Sequence, residues 1–73
     1  MKRVIIVGEN FTGSIMVDQS IIPPAELGRR VVHYWDEYQA TEPDSDDGFI
    51  PWLAMIPGFA VDNHPLEAEV VFV

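Results

Sequence analysis

The densest group of side chains that could do chemistry is acidic, and it begins like a calcium-binding loop. Carboxylates stand at Asp44, Asp46 and Asp47, in a polar segment that reaches Gly48. A calcium loop brings oxygens together from alternate positions, so the pattern counted from Asp44 needs an acid or amide at position 48 and a glutamate at position 55. Gly48 and Met55 stand there instead. The sequence therefore indicates a solvated acidic loop that offers an electrostatic contact surface, and no metal site.

Two glycines near the N-terminus have the spacing found in a phosphate-binding loop. Gly8 and Gly13 follow a strand-like run at residues 4–7. A phosphate loop also needs a lysine followed by serine or threonine, and a helix whose N-terminus holds the phosphate. Ser14 and Ile15 occupy those positions, and no clear helix pattern follows them. The run is therefore predicted to be a buried strand that ends in a glycine-rich turn.

The remaining reactive side chains form no catalytic set. His33 and Glu37 are four residues apart and could bracket a metal ion, but two ligands do not complete a site, and the other histidine, His64, precedes a proline. A surface histidine is the favoured interpretation. None of the three serines stands in a Gly-x-Ser-x-Gly turn, and the chain has no cysteine. No enzymatic activity, metal or cofactor is therefore expected.

The chain that must position these residues is short and strongly acidic. Seventy-three residues make one domain with a small core, because a chain of this length buries only about 60% of the surface that its unfolded form exposes. Function is therefore expected to depend on the outer surface and not on an interior pocket. The formal charge is −8, while 48% of the residues are hydrophobic, which favours a folded chain. Nucleic-acid binding depends on cationic side chains. The charge therefore argues against direct nucleic-acid binding and favours a partner with a basic surface.

The charges are also separated along the chain. All four Lys and Arg residues lie at or before Arg30, and nine of the twelve acidic residues lie from Asp36 onward. The folded molecule is therefore expected to have an acidic side.

Nothing in the sequence predicts export or membrane insertion. The N-terminus lacks the features of a signal peptide, and no cysteine is present for disulfides. The longest nearly unbroken apolar run, residues 49–61, contains Pro51, Pro57 and Gly58. A spanning helix needs about 20 apolar residues, so the expected location is the cytoplasm.

Hydrophobic patterns predict a hairpin followed by one helix. Residues 3–7 and 14–18 are short apolar stretches joined by a turn at 8–13. Prolines then mark a helix start, and an amphipathic helix of about four turns is predicted, since apolar side chains recur at helical spacing. These side chains are Leu27, Val31, Tyr34, Trp35 and Tyr38. The alternative is a helical turn that ends at Gly28 and a strand from Arg30 to Trp35, because strand formers are frequent there.

The second half of the chain is predicted to contain an exposed acidic loop at about 40–48, an apolar segment to Val61, a turn at 62–65 and a last strand from about Glu67 to Val73. The C-terminal segment is expected to be tied into the sheet. The predicted fold is α+β: a small antiparallel sheet, made of the N-terminal hairpin and the C-terminal strand, with one amphipathic helix in a single domain, 1–73.

Large aromatic side chains are frequent for so short a chain, and most are expected to build the core. The segment from Phe49 to Trp52 directly follows the acidic loop, and an aromatic anchor beside a charged rim is a common arrangement of interface hot spots. The predicted partner-binding residues are Asp44, Asp46, Asp47, Phe49 and Trp52.

Taken from Met1-Lys2-Arg3-Val4-Ile5 through the acidic loop to Val71-Phe72-Val73, the chain resembles the small transcription regulators of bacteriophages that infect Xanthomonas. The resemblance implies a phage protein in the cytoplasm of the infected bacterial host that binds the β′ and β subunits of RNA polymerase. It also implies inhibition of transcription initiation through σ-factor displacement, and antitermination during elongation. A monomer is expected.

Two other functions stay open at this point. An acidic DNA mimic would occupy the basic groove of a nuclease or restriction system. DNA presents one charge per roughly 1.7 Å of axis, so twelve acidic residues would reproduce its charge density only weakly. A structural or antitoxin-like protein would instead form homo-oligomers through strand addition at residues 70–73.

Overall fold

The computed structural model of the protein describes residues 2–61 and 68–73. The predicted turn at 62–65, with His64, and the first residue of the predicted last strand, Glu67, lie outside the described residues.

The predicted N-terminal hairpin is present. Strand β1, Lys2–Val7, pairs antiparallel with strand β2, Thr12–Val17. The Gly8 N–H donates to the Phe11 carbonyl at 2.8 Å and closes the connection. Alternate side chains of both strands are buried, as expected for a sheet that packs on one face.

The predicted amphipathic helix is also present. Helix α1, Leu27–Ala40, follows a 3-10 turn at Pro24–Glu26, and its buried side chains are Leu27, Val31 and Tyr38. The alternative strand at 30–35 is wrong, because Val31, Tyr34 and Trp35 pack on the core at helical spacing, while Val32 is exposed on the other side of the helix. Gly28 lies inside α1, at a position where an added Cβ would meet nothing within 4 Å.

Two elements were not predicted. Helix α2, Phe49–Leu53, continues from a 3-10 turn at Asp46–Gly48, and strand β3, Phe59–Val61, follows it. The turn into β3 depends on Gly58, whose φ is 99°, a backbone conformation that favours glycine.

The sheet is mixed, with strand order β3-β2-β1-β4. Strand β4, Glu69–Phe72, pairs parallel with β1, from Val4 opposite Glu69 to Val7 opposite Phe72. This corrects the expected all-antiparallel sheet, because β4 lies on the side of β1 away from β2 and runs in the same direction as β1. The α+β class, with the hairpin and the C-terminal strand in one sheet, is confirmed.

One hydrophobic core lies between the sheet and the two helices. Its buried side chains come from every layer, and none of the buried side chains among the described residues is polar or charged apart from the hydroxyl of Tyr38. They are Val4, Ile6, Phe11, Ile15, Val17, Ile22, Leu27, Val31, Tyr38, Phe49, Leu53 and Phe59. The acidic loop bridges α1 and α2 at the edge of this core.

Candidate partner-binding surface

The acidic loop, residues 41–48, follows the C-terminal end of α1, and its second residue has a left-handed backbone conformation. Glu42 has a φ of 54°, which is the conformation in which many helices end. Beyond it, Asp44 and Asp47 are exposed and Asp46 is half-buried. The predicted loop at about 40–48 is thus correct in position, although its last three residues form the 3-10 turn that leads into α2.

A buried tyrosine holds the middle of the acidic loop. The Tyr38 hydroxyl donates to the Ser45 carbonyl at 2.7 Å, and the ring is only 7% exposed. The Thr41 hydroxyl donates to the Tyr38 carbonyl, also at 2.7 Å. Because Tyr38 is fixed in the core, these bonds give the loop a defined position relative to α1.

Asp46 joins the acidic loop to two other elements. Its Oδ2 accepts a hydrogen bond from Asn10 Nδ2 in the hairpin turn, and its Oδ1 accepts one from Gln39 Nε2 on α1, both at 3.3 Å. Both carboxylate oxygens therefore have partners within the protein. This side chain positions the loop, whereas its neighbours Asp44 and Asp47 present their carboxylates to solvent.

Ser45 caps the helical segment that begins in the acidic loop. Its Oγ accepts the Asp47 N–H at 3.2 Å, and Asp46 and Asp47 occupy the first turn. Acidic residues are favoured at this end of a helix, where the backbone N–H groups are unpaired. A serine followed by two aspartates is the signal from which this helix start could have been predicted.

The structure corrects the assignment of Phe49 to the partner-binding residues. Its side chain is 0% exposed, with ring centroids 5.0 Å from Trp35 and 5.5 Å from Tyr38. A partner cannot contact a side chain that is wholly inside the core. Phe49 therefore belongs to the core on which the acidic loop packs, and not to the exposed surface.

Trp52 lies between the core and the surface. It is half-buried, with its ring centroid 5.5 Å from that of Tyr38 and 6.0 Å from that of Phe49. Among the predicted contact residues, the structure thus leaves Asp44, Asp47 and the outer part of Trp52 accessible. The sequence did not identify Asn10, Gln39 or Tyr38, because their roles depend on contacts between separate elements.

The carboxylates of the acidic loop form no salt bridge in the part of the chain that the structure describes. The salt bridges there join other residues: Lys2 to Glu69, Arg29 and Arg30 to Glu26, and His33 to Glu37. The charge of Asp44 and Asp47 is therefore not neutralised within the described structure.

Basic groups cluster at the opposite end of α1. Arg29, Arg30, His33 and Tyr34 line an open groove of about 380 Å³. Ten residues of helix separate Arg30 from Ala40, which is about 15 Å along the axis. Glu26 pairs with both arginines and offsets part of their charge, whereas the loop end is negative.

His33 and Gly13, from the segments that resemble metal and phosphate sites, make other contacts in the described residues. No group of three potential ligands is close enough to hold a metal ion there, and His33 pairs with Glu37 at 3.1 Å. Gly13 lies within β2, where an added Cβ would be 2.5 Å from Ile50 Cγ1, so this glycine makes room for α2.

No helix in the described ranges is both long and apolar enough to cross a membrane. No protein-family model, curated protein or solved structure matches the chain.

Proposed function

We propose that the protein is a non-catalytic binding module whose acidic loop docks on a basic surface of a partner protein. One observation carries this proposal: Asp44 and Asp47 are exposed, have no salt bridge among the described residues, and sit on a loop held at Ser45 and Asp46. A held loop loses little conformational entropy when it binds, and unpaired carboxylates attract cationic groups over a distance.

The partner that we propose is bacterial RNA polymerase. Its DNA-binding channel must be basic, because it holds a polyanion, and an acidic module is complementary to such surfaces. The sequence resemblance indicates the β′ and β subunits, with σ-factor displacement at initiation and antitermination during elongation. On this proposal the protein acts as a monomer in the cytoplasm of the infected host and does not itself bind nucleic acid.

The test compares two double variants that carry the same change in charge. Asp44→Asn/Asp47→Asn neutralises the acidic loop, and Asp36→Asn/Glu37→Gln neutralises two carboxylates on α1. Binding to purified core polymerase, free of DNA, is measured by biolayer interferometry at several salt concentrations. The loop variant should lose at least about tenfold in affinity at low salt, which corresponds to about 1.4 kcal/mol, and less at high salt because of screening.

Three results would count against the proposal. The first is equal loss in the two variants, which would show a general charge effect. The second is no binding to core polymerase at any salt concentration. The third is binding to core polymerase that does not weaken as the salt concentration rises, which would remove the charged surface from the contact.

A further inference from the structure

Strand β4 is an edge strand in the described part of the chain. It pairs with β1 on one side and ends the strand order on the other. The Val73 N–H donates to the Val7 carbonyl at 2.9 Å. In a parallel ladder, alternate residues direct both backbone groups to the same side, so Val71 and Val73 face β1. Val70 and Phe72 therefore direct their N–H and C=O groups away from the sheet.

The same two residues carry the exposed side chains of this edge. Val70 is 47% exposed and Phe72 is 72% exposed. They lie opposite Ile5 and Val7 of β1, on the face of the sheet away from the helices. The edge thus combines unpaired backbone groups with apolar side chains on one face, which is the pattern that strand addition uses for affinity and selectivity.

Three of the usual protections of an edge, namely lysine, proline and a bulge, are missing from β4. Proteins use these features to discourage edge pairing. The one charged side chain is Glu69, which is 46% exposed and lies 3.5 Å from Lys2.

Charge decides between two occupants of this edge. A second copy would bring a net charge of −8 against another −8. An extended segment with Lys or Arg between its apolar residues would instead be attracted by the net negative charge of the molecule. The net charge therefore favours a basic strand over a second copy at this edge.

We propose that the edge of β4 accepts an extended cationic segment of a partner protein as a fifth strand of the sheet. Its backbone pairs with Val70 and Phe72, and its apolar side chains cover their exposed side chains. The inference goes beyond the proposed function and does not require that the partner be RNA polymerase.

The test uses the full chain and a capped heptapeptide of alternating lysine and valine. Amide NMR spectra are recorded as the peptide is added, together with hydrogen exchange. The Val70 and Phe72 amides should shift and become protected from exchange. A peptide with glutamate in place of lysine, and one with a central proline, should cause neither change. Phe72→Ser should weaken peptide binding severalfold, whereas Met55→Ser, at a side chain that is 77% exposed elsewhere, should not.

Three outcomes would overturn the proposal. Shifts confined to the acidic loop would show attraction by charge alone, and no shift at millimolar peptide would show that the edge does not bind. Sedimentation that reveals a dimer, with Val70 and Phe72 protected in the free protein, would assign the edge to a second copy. Because this assay contains no polymerase, its result is independent of the polymerase-binding test.

Discussion

At the scale of single residues, the carboxylates of the acidic loop have different roles. Asp46 accepts hydrogen bonds on both oxygens, while Asp44 and Asp47 are exposed. Below them, the Tyr38 hydroxyl reaches the Ser45 carbonyl from the apolar core. The orientation of the charged surface therefore depends on Asp46 and also on Tyr38, a side chain that carries no charge.

Gly48 provides a test of this support. A Cβ added at Gly48 would collide with the Tyr38 hydroxyl oxygen, whereas one added at Gly28 meets nothing. Gly48→Ala should therefore lower the free energy of unfolding by about 1–3 kcal/mol, since it displaces a buried hydrogen bond. Gly28→Ala should raise it by up to about 1 kcal/mol, because alanine is the better helix former. Urea unfolding measures both.

The double variant Gly48→Ala/Tyr38→Phe tests whether the destabilisation by Gly48→Ala comes from collision with the Tyr38 hydroxyl. Removing the hydroxyl makes room for the new methyl group, so this variant should recover part of the stability that Gly48→Ala loses. Strictly additive losses would show that the tyrosine hydroxyl is not the group that the alanine displaces.

Exposure of single residues was only partly predictable from the sequence. Asp44 and Asp47 were expected at the surface, since charged side chains are rarely buried without a partner. Phe49 was misassigned because α2 has five residues, too few for a hydrophobic period to distinguish its inner from its outer side. The contact of Asn10 with Asp46 joins residues 36 positions apart, and no local pattern predicts such a pair.

At the scale of elements, the ends of α1 and β2 are fixed by a few local interactions. The C-terminal end of α1 places Glu42 in a left-handed conformation, where glycine is usual. After β2, Asp18 Oδ1 accepts hydrogen bonds from the Ser20 hydroxyl at 2.6 Å and from the Ser20 N–H at 2.9 Å. These bonds shape the turn that redirects the chain from the sheet toward α1.

Glu42→Gly should stabilise the protein by about 0.5–1 kcal/mol, because it relieves the left-handed backbone and removes a negative charge from the C-terminal end of a helix. Glu42→Gln is the matched control, since it removes the charge and keeps the backbone penalty. Thermal unfolding should place the glycine variant above the glutamine variant. Equal melting temperatures would mean that charge, not backbone conformation, governs this helix end, and the reverse order would mean that glycine relieves no backbone strain there.

The turn after β2 should give an acid-dependent stability. The Ser20 hydroxyl, and next the Ser20 N–H, lower the pKa of Asp18. A lowered folded-state pKa contributes stability that is present above the unfolded-state pKa and is lost as pH falls through the folded-state pKa. Ser20→Ala should therefore raise the pKa of Asp18 and destabilise the protein at neutral pH. The difference from the parent should disappear in strong acid.

Carboxyl NMR titration measures the pKa of Asp18, and urea unfolding at neutral and acid pH measures the stability. Ser14→Ala, on β2 outside this turn, is the control. An unchanged pKa of Asp18 in the Ser20→Ala protein would contradict the prediction.

The element pattern was predicted where hydrophobic periods are long. The hairpin and α1 were predicted correctly because each has several apolar residues at a fixed spacing. Strand β3 has three residues and α2 contains Pro51, so neither offers a comparable pattern. The parallel pairing of β4 was not predictable, because sequence alone does not specify which side of the hairpin a last strand joins.

At the scale of the whole molecule, charge and fold are only loosely coupled. The core contains no charged side chain in the described residues, and the net charge of the whole chain is −8. Self-repulsion among surface carboxylates opposes compaction, although it favours solubility.

Stability should therefore rise with salt. Raising NaCl from about 0.01 M to about 0.15 M shortens the screening length from about 30 Å to about 8 Å. The melting temperature should increase by roughly 2–4 °C, which corresponds to about 0.5 kcal/mol in a domain of this size. Asp44→Asn/Asp47→Asn, which changes the net charge from −8 to −6, should show a smaller increase. Equal increases in the two proteins would exclude the loop as a source of repulsion.

The parallel pairing of β1 with β4 also has a consequence for how the chain folds. Val4 and Glu69 lie side by side although they are 65 positions apart, from 69 − 4. The hairpin can form as soon as β2 has left the ribosome. The pairing of β1 with β4 can form only after nearly the whole described chain has been synthesised. Long-range pairing of this kind is slow to form. During synthesis, the strand at the centre of the finished molecule is therefore the one whose backbone stays half unpaired for longest.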